Sequence, residues 1–409
     1  MPPLSTTTQN TTMHDESQRQ AGFYVPRFEV KIEGAGLPRD VLFDVREITY
    51  EDSISSIDSF KMTINNWDEV KREFKYIGSE TKEQLQKGNS DEPRLTLFEP
   101  CGKEVTVRMG YGANLVTMLT GQFTTMEPSF ADGGATMKVT GLNVLHQLRR
   151  KQYTTTWPDK TDSEVALDIS KRSDKGKKRF PLPIVIDDNA KGKEKQIPII
   201  SEHNQYDIDF LFQRARERGY VVFIQEADAS RNQPRQLYFG PSQEASQSLR
   251  PVVFELAWGA SLIEFKPKIT TANQVKSVTV RGWHRTRKTP ITRTVTIDDE
   301  RLNVNKDLHR LLNACEGREE IVVDEPIFTN CQARERAIAI LLSQTKEIVT
   351  ADVKVVGLPD LRSGQMVKID KLGARLNGMY MVTKTSHTID DDGYITTFSC
   401  RREELGSGK

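Results

Sequence analysis

Apolar and polar side chains alternate in short runs over much of this sequence. Near the N-terminus, Phe28, Val30 and Ile32 alternate with charged residues, a period of two that predicts a strand with one buried face. Turn sequences rich in Gly, Asn and Asp separate further runs of the same kind. These further strands are predicted at 41–50, 60–64, 104–109, 116–126 and 137–141. The pattern favours an antiparallel barrel or sandwich over residues 23–147.

Two stretches of the N-terminal part lack this alternation. Residues 1–22 are rich in Thr, Gln and Ser and contain little that could be buried, which predicts a disordered arm. Residues 68–88 are highly charged and show no strand pattern. We interpret them as a helix or as part of a long loop over residues 68–93.

Helical periodicity appears in the middle of the chain. Thr161 and Glu164 have the spacing of a capping box, which predicts a helix start. A second helix is predicted from apolar residues at helical spacing, with Gly219 at its end. Its apolar residues are Ile208, Leu211, Phe212 and Ala215. With strands predicted at 220–225 and 236–239, residues 148–248 form an α+β insert.

Strand patterns return after this insert. They are predicted at 261–266, 275–283, 352–356, 365–370, 379–387 and 394–401, with one helix near 331–345. Residues 249–404 therefore form a second β-rich unit, and residues 405–409 a flexible tail. The predicted fold class is β-rich α+β, with two β-rich units flanking the insert.

Composition narrows the classes of function. The chain has 409 residues, and 58 Lys and Arg stand against 57 Asp and Glu. The net charge of +1 argues against a wholly basic nucleic-acid coat. Four widely separated cysteines favour reduced thiols in a cytosolic fold over a zinc site or a secreted disulfide scaffold. No apolar run is long enough for a membrane helix, and no signal peptide is expected.

No catalytic or metal-binding set emerges from the sequence. The six histidines do not pair at helical spacing and none stands in an H-E-x-x-H setting, so no metal site is predicted. The chain has neither a G-x-S-x-G motif nor a Gly-rich phosphate loop. Acidic pairs such as Asp187-Asp188 are more often solvated surface than catalytic carboxylates. We therefore expect no enzyme activity and no cofactor.

One basic segment is the most distinctive charged feature. It runs from Arg281 to Arg293 with five Lys or Arg, no acid, and Trp283 among them. One interpretation is a surface that faces phosphates and stacks on bases. The other, which the neutral net charge favours, is contact with an acidic partner or with solvent. The candidate interface residues are Arg281, Trp283, Arg285, Arg287 and Lys288, together with Lys71, Arg72 and Lys75 in the charged stretch after Asp68.

Three stretches of the chain resemble one family. The first is residues 25–34 with Asp58-Ser-Phe60 and Asn66-Trp67-Asp68 downstream. The second is Tyr206-Asp-Ile-Asp209-Phe210-Leu211 with Ala215, Gly219 and Phe223. The third is Gly357-Leu-Pro359, then Gly364, Leu376-Asn-Gly378-Met-Tyr380-Met-Val382, His387 and Gly393-Tyr394. In order and spacing they resemble the phage late control gene D proteins, the hub part of VgrG and the T4 baseplate hub, which form the hub of contractile tails and injection systems.

This resemblance implies a structural protein that works as a homotrimer. Each subunit would carry two tube-protein-like antiparallel β-barrel domains, 23–147 and 249–404, flanking the α+β insert 148–248. Three subunits would present six barrels, which match a six-fold inner tube protein on one face and a three-fold spike on the other. Since the sequence ends soon after the last hub strand, a separate spike protein is expected.

The same resemblance implies partners and a location. Other baseplate components would surround the hub, with no nucleic acid bound and no membrane insertion of this chain. The protein would occupy the bacterial cytoplasm during assembly and then a phage tail or an injection particle, including a released extracellular one. The loop 68–93 would contact a neighbouring subunit or the tube, and the basic loop 281–293 would lie at a partner interface.

Other functions stay open from the residues alone. A nucleic-acid-binding β protein would use the basic loop 281–293, and its DNA affinity would depend sharply on salt. A tail-associated enzyme would need a carboxylate pair in a cleft. A tail-tube monomer is a nearer alternative, but the α+β insert has no place in it.

Overall fold

Strands form most of the elements in this computed structural model. It describes residues 9–20, 23–81, 94–100, 102–132, 134–174, 176–187, 190, 194–227, 234–241, 252–272, 274–299, 302, 309–310, 317–323 and 327–403. Within these ranges, no helix combines the length and the apolar composition of a membrane-spanning segment.

The strands and helices lie along the chain in the following order. The N-terminal strands are β1 (Gln9–Thr12), β2 (Pro26–Ile32), β3 (Ala35–Gly36), β4 (Val45–Ser53), β5 (Ser56–Asn65), β6 (Trp67–Asp68), β7 (Glu73–Phe74), β8 (Glu104–Tyr111), β9 (Asn114–Ala131) and β10 (Gly134–Asn143). The middle strands are β11 (Gln152–Lys160), β12 (Ser173–Asp174), β13 (Lys177–Lys178), β14 (Ile184–Ile186), β15 (Ile197–Tyr206), β16 (Tyr220–Gln225) and β17 (Gln236–Pro241). The C-terminal strands are β18 (Val252–Ala257), β19 (Leu262–Ile269), β20 (Val275–His284), β21 (Thr289–Thr296), β22 (Arg318–Val322), β23 (Val349–Val356), β24 (Met366–Asp370), β25 (Gly378–Asp390) and β26 (Gly393–Arg402). The helices are α1 (Met13–Arg19), α2 (Arg39–Asp44), α3 (Asp162–Ser170), α4 (Asp207–Arg218) and α5 (Asn330–Thr345), with a 3₁₀ helix at Val144–Arg149.

One large sheet runs through both β-rich units. Its main path is β1-β18-β24-β25-β4-β5-β10-β9-β8-β2-β3, and β19, β23 and β26 branch from it at β25. Neighbouring strands are antiparallel except at β1–β18 and β18–β24, which are parallel. The two units meet where β4 pairs with β25, from Ile48 opposite Ile389 to Ser53 opposite Lys384.

The three largest hydrophobic cores of the described residues lie under these elements. The N-terminal core contains Phe60 and Met62 and also takes in Tyr394 from β26, so the units share packing as well as hydrogen bonds. The C-terminal core packs α5 against β20 and β21. The insert core contains Trp157 and Phe210, whose rings stack with centroids 5.7 Å apart. Each core is formed mainly by residues of one of the three predicted segments, 23–147, 148–248 and 249–404. The exact domain limits and the closure of either β-rich unit into a barrel stay predictions.

The strongest sequence signals for helices are confirmed. The predicted capping box forms at the start of α3, where Thr161 and Glu164 bond each other's backbone N–H groups. Helix α4 ends at Gly219, which adopts a left-handed φ of +71° that glycine allows without strain. The helix predicted near 331–345 is α5.

The disordered arm predicted for residues 1–22 is wrong over residues 9–20. There β1 pairs with β18, and α1 follows with Glu16 and Gln20 buried. Arg19 forms an ion pair with Asp360 at 3.0 Å. Composition hid this segment because backbone pairing and polar contacts hold most of it, with Met13 packed against the C-terminal core. Residues 1–8, 21–22 and the predicted tail 405–409 lie outside the described residues.

Candidate functional site

The basic segment forms a hairpin at the end of the sheet β21-β20-β22. Strands β20 and β21 pair antiparallel, and the turn between them covers residues 285–288. His284 fixes this turn, because its Nδ1 accepts a hydrogen bond from the backbone N–H of Arg287 at 3.2 Å. Its carbonyl oxygen accepts another from the N–H of Lys288 at 2.8 Å. These hydrogen bonds fix the backbone conformation of the turn that carries Arg285, Arg287 and Lys288.

Three predicted interface residues line one cleft on this hairpin. Arg281, Trp283 and Arg285 alternate along the chain, so their side chains lie on the same side. They surround a cleft of about 360 Å³ together with apolar residues that follow β22. These apolar residues are Val323, Ile327 and Phe328. The Arg285 guanidinium lies 4.2 Å from the centroid of the Phe328 ring, in cation–π geometry.

Sequence reasoning missed the apolar side of this cleft. The segment at Ile327 reaches the hairpin because Gly282 has no side chain: a Cβ there would lie 2.5 Å from the Ile327 carbonyl oxygen. That oxygen accepts a hydrogen bond from the Trp283 N–H at 3.0 Å. The two segments are far apart in sequence, and the local signal was a glycine inside a strand, which often marks close backbone approach.

The remaining predicted interface residues lie on a turn of the N-terminal unit. Strands β6 and β7 form a short hairpin, and the Asp68 carboxylate accepts from the Lys71 N–H at 3.0 Å in its turn. Lys71 and Arg72 are exposed. Lys75 differs, because its Nζ lies 2.6 Å from the buried carboxylate of Asp44. Lys75 therefore holds the fold together and is a poor candidate for partner binding.

The stretch predicted as a helix or long loop has no helix in its described part, residues 68–81. Edge-to-face aromatic contacts hold the β6–β7 hairpin, with the Phe74 ring centroid 5.2 Å from Trp67 and 4.9 Å from Phe130. Residues 82–93 lie outside the described residues. The contact of loop 68–93 with a subunit or the tube stays a prediction.

A buried carboxyl group joins the two β-rich units. Asp52 of β4 accepts a hydrogen bond from the backbone N–H of Ser363 at 2.9 Å and another from the Thr385 hydroxyl. Burial raises the pKa of Asp52, and the nearby Arg362 guanidinium opposes that shift. Asp52 therefore ties β4 to β25 and to the turn that precedes β24.

The histidine of the third resemblance motif is a structural residue in the same region. Nε2–H of His387 donates to the carbonyl oxygen of Leu361 at 3.0 Å, and Nδ1 accepts from the Tyr394 hydroxyl at 3.1 Å. Burial lowers the pKa of His387 well below its usual range, and Arg362 lowers it further. Both ring nitrogens are engaged. In the part of the chain that the structure describes, no three His, Cys, Asp or Glu side chains group as a metal site would require.

The insert contains a buried carboxylate pair. Arg172 bridges Glu202, at 2.9 Å, and Asp207, and its guanidinium stacks 4.1 Å from the centroid of Tyr153. Both carboxyl groups are fully buried. Burial raises the pKa of Asp207 to about 7, with Arg172 opposing the shift. Because neither carboxyl group reaches solvent, this pair lacks the open cleft that a hydrolytic enzyme requires.

Comparison with known proteins assigns the chain to a family. A family model described as the Alg8 N-terminal domain matches residues 24–391. The chain belongs to the Alg8 N-terminal domain family. The match covers the insert, most of the N-terminal unit and the C-terminal unit as far as residue 391, so it takes in most of each of the three main cores. No curated protein matches the chain.

Solved structures with a similar fold come from phage tails and a secretion system. The 43 kDa tail protein of prophage MuSo2 from Shewanella oneidensis has a TM-score of 0.62 at 14% identity, covering 93% of this chain and 100% of that one. A tail protein from Neisseria meningitidis has a TM-score of 0.63 at 12% identity, covering 93% and 98%. The E. coli c3393 protein, a type VI secretion component, has a TM-score of 0.52 at 12% identity, covering 93% and 78%. The fold is therefore the one seen in phage tail and type VI secretion proteins.

Proposed function

We propose that this chain is the central hub of a phage tail baseplate or a contractile injection particle. Three copies would form a ring that adapts a six-fold inner tube to a three-fold spike. The observation that carries the proposal is the sheet that runs unbroken from the N-terminal unit through β4 and β25 into the C-terminal unit. The tail-protein folds of the similar structures support it.

The continuous sheet matters because it fixes two β-rich units side by side in one rigid chain. If each unit presents one tube-like surface, a single chain presents two and three chains present six. In a ring of three identical chains, each head-to-tail contact is repeated until the ring closes, so the assembly does not grow into an open filament. The work of such a ring is symmetry matching and force transfer, and we propose no catalytic role.

The partners of this hub would be the inner tube protein, a separate spike protein and other baseplate components. Backbone groups at the sheet edges can pair with strands of a neighbour, which gives affinity without specialised side chains. Closing the ring would also cover edges that otherwise invite aggregation.

Light scattering of the purified chain at several concentrations tests the proposal first. We expect a mass three times the 46.5 kDa of one chain. A stable dimer would contradict the hub ring, because two chains cannot offer six equivalent surfaces. If the chain alone is monomeric, co-expression with candidate spike and tube proteins from the same source decides the question. Three copies in the purified complex would support the proposal, and any other copy number would refute it.

A further inference from the structure

Within the described residues, the sheet β21-β20-β22 is covered on one of its two faces only. Helix α5 packs against the inner side, where Val278, Val280 and Ile291 join the C-terminal core. On the outer side, Ile321 of β22 lies opposite Thr279 of β20. We call the outer side with the cleft the hairpin face; its residues are Arg281, Trp283, Arg285, Ile321, Val323 and Phe328.

The hairpin face exposes large apolar side chains. The exposed fraction is 52% for Trp283, 53% for Ile321 and 65% for Val323. Scattered exposed apolar residues are ordinary, but these three share one sheet face and adjoin a cleft of about 360 Å³. That volume admits one large apolar side chain. Trp and Arg are also the residue types most enriched among the anchors of protein interfaces.

The cations of the hairpin have no anionic partner among the described residues. Among the residues that the structure describes, no ion pair involves Arg281, Arg285, Arg287, Lys288 or Arg293. The sequence supplies no Asp or Glu between Glu264 and Asp298, so this stretch cannot neutralise itself. By contrast Lys75, in the other basic cluster, is paired with a buried carboxylate. The hairpin face therefore combines exposed cations with an apolar cleft.

We propose that the hairpin face binds an acidic segment of a partner protein that carries a large apolar side chain. The apolar side chain fills the cleft against Trp283, Val323 and Ile327. Carboxylates on either side of it pair with Arg281 and Arg285, whose planar guanidinium groups bind carboxylates in a bidentate manner. The charges of Arg281 and Arg285 at the edge of the cleft would steer and orient the acidic partner, and burial of the apolar side chain in the cleft would hold it in place.

A protein partner fits this face better than a nucleic acid. The cleft offers a single exposed indole ring, whereas single-stranded nucleic acid is held by aromatic platforms for successive bases. The aliphatic side chains of Val323 and Ile327, which line the cleft, have no groups that could hydrogen-bond to base edges. The chain as a whole is close to neutral, which disfavours the broad positive field that nucleic-acid binding uses. This inference does not depend on the hub ring, because one chain contains the entire face.

Selection from a library of displayed random peptides tests this proposal. The full chain serves as target, and the variant carrying Arg281→Glu and Arg285→Glu is used for counter-selection. We expect the enriched peptides to combine several Asp or Glu with a Leu, Ile, Phe or Trp. Enrichment of neutral or basic peptides, or no peptide that survives counter-selection, would overturn the proposal.

A synthetic peptide of the enriched sequence then measures the energetics by fluorescence anisotropy. We expect Trp283→Ala and the Arg281→Glu, Arg285→Glu variant each to weaken binding about tenfold or more, which corresponds to 1.4 kcal/mol. The matched control is Lys71→Glu with Arg72→Glu, which makes the same charge change on an exposed turn elsewhere. Equal weakening by the control would mean a diffuse charge effect and would refute the cleft. Displacement of the peptide by an oligodeoxynucleotide at lower concentration than by the unlabelled peptide would refute the choice of partner. Thermal unfolding of each variant by circular dichroism confirms that the fold is intact.

Discussion

The position of Gly357 has no room for a side chain, because the ring of Tyr394 in the distant strand β26 packs against it. A Cβ on Gly357 would lie 2.2 Å from the Tyr394 ring, and the Gly357 N–H donates to the Tyr394 carbonyl at 2.9 Å. We expect Gly357→Ala to lower the free energy of unfolding by about 1–3 kcal/mol, because the ring or the strand must shift. Urea denaturation measures this. Gly36→Ala is the control, since nothing lies within 4 Å of its Cβ, and an equal loss in both variants would contradict the argument.

The buried Asp207 gives a second prediction at the residue scale. Burial raises its pKa from 3.8 to about 7, so the folded state binds the proton more tightly than the unfolded chain. The resulting stabilisation is complete below about pH 4 and is lost as the pH rises through about 7. Between pH 5 and pH 7 we expect the wild-type chain to lose about 1–2 kcal/mol more than Asp207→Asn. Denaturation at several pH values measures this, and Asp209→Asn on the same helix is the control. Parallel curves for the wild type and Asp207→Asn would contradict the shift.

At the scale of elements, the N-terminal segment works as a strap. Strand β1 extends the sheet beside β18 in the C-terminal unit, while the carbonyl oxygen of Arg19 accepts a hydrogen bond from the Asn114 side chain in β9 at 2.9 Å. Arg19 also pairs with Asp360. One short polar segment therefore contacts both β-rich units.

Deleting residues 1–20 tests the strap. We expect backbone amides of β18 to exchange with solvent about tenfold faster or more, because β18 becomes an edge strand. Amides of the central strand β5 in the same sample provide the control and should change little. Unaltered exchange in β18 would show that β1 contributes nothing to the sheet. Hydrogen exchange with mass spectrometry resolves both strands.

At the scale of the whole molecule, the two β-rich units are joined by shared side-chain packing and by strand pairing. Tyr394 belongs to β26, yet its side chain packs in the N-terminal core, with its ring centroid 5.4 Å from that of Tyr111. The β4–β25 pairing adds backbone hydrogen bonds to this packing. A load applied to one unit would therefore pass directly to the other.

We expect Tyr394→Ala to destabilise both units, by about 3–5 kcal/mol, because it opens a cavity and removes one of the two hydroxyl groups, those of Tyr394 and Thr396, that lie at hydrogen-bond distance from His387 Nδ1. Denaturation gives the size of the loss, and hydrogen exchange should show weaker protection in β8 as well as in β25. Tyr24→Ala is the control, since Tyr24 is 87% exposed and should matter by less than about 0.5 kcal/mol. Loss of protection confined to β25 and β26 would mean that the units are independent.

Much of the local structure could be predicted from the sequence because its causes are local. Alternation at Phe28, Val30 and Ile32 produced β2, and the capping box at Thr161 produced α3. The basic segment was also visible, since five cations without an acid lie at and after the end of the strand predicted at 275–283. The strand β21, which makes it a hairpin, was not predicted. The tail-protein fold was foreseen through a resemblance of motifs, while the trimer and the hub role remain proposals.

The sequence by itself determined where chain segments become strands and helices, because periodicity, caps and turns act over a few residues. Only the tertiary structure decided which segments meet. It placed Val323 and Ile327 opposite Trp283, paired β4 with β25, and added residues 9–12 to the sheet as β1. It also paired Lys75 with Asp44, whereas no carboxylate of the described residues pairs with Arg281 or Arg285. These contacts join residues far apart along the chain, and their energy depends on complementary shape and charge across space, which no local pattern records.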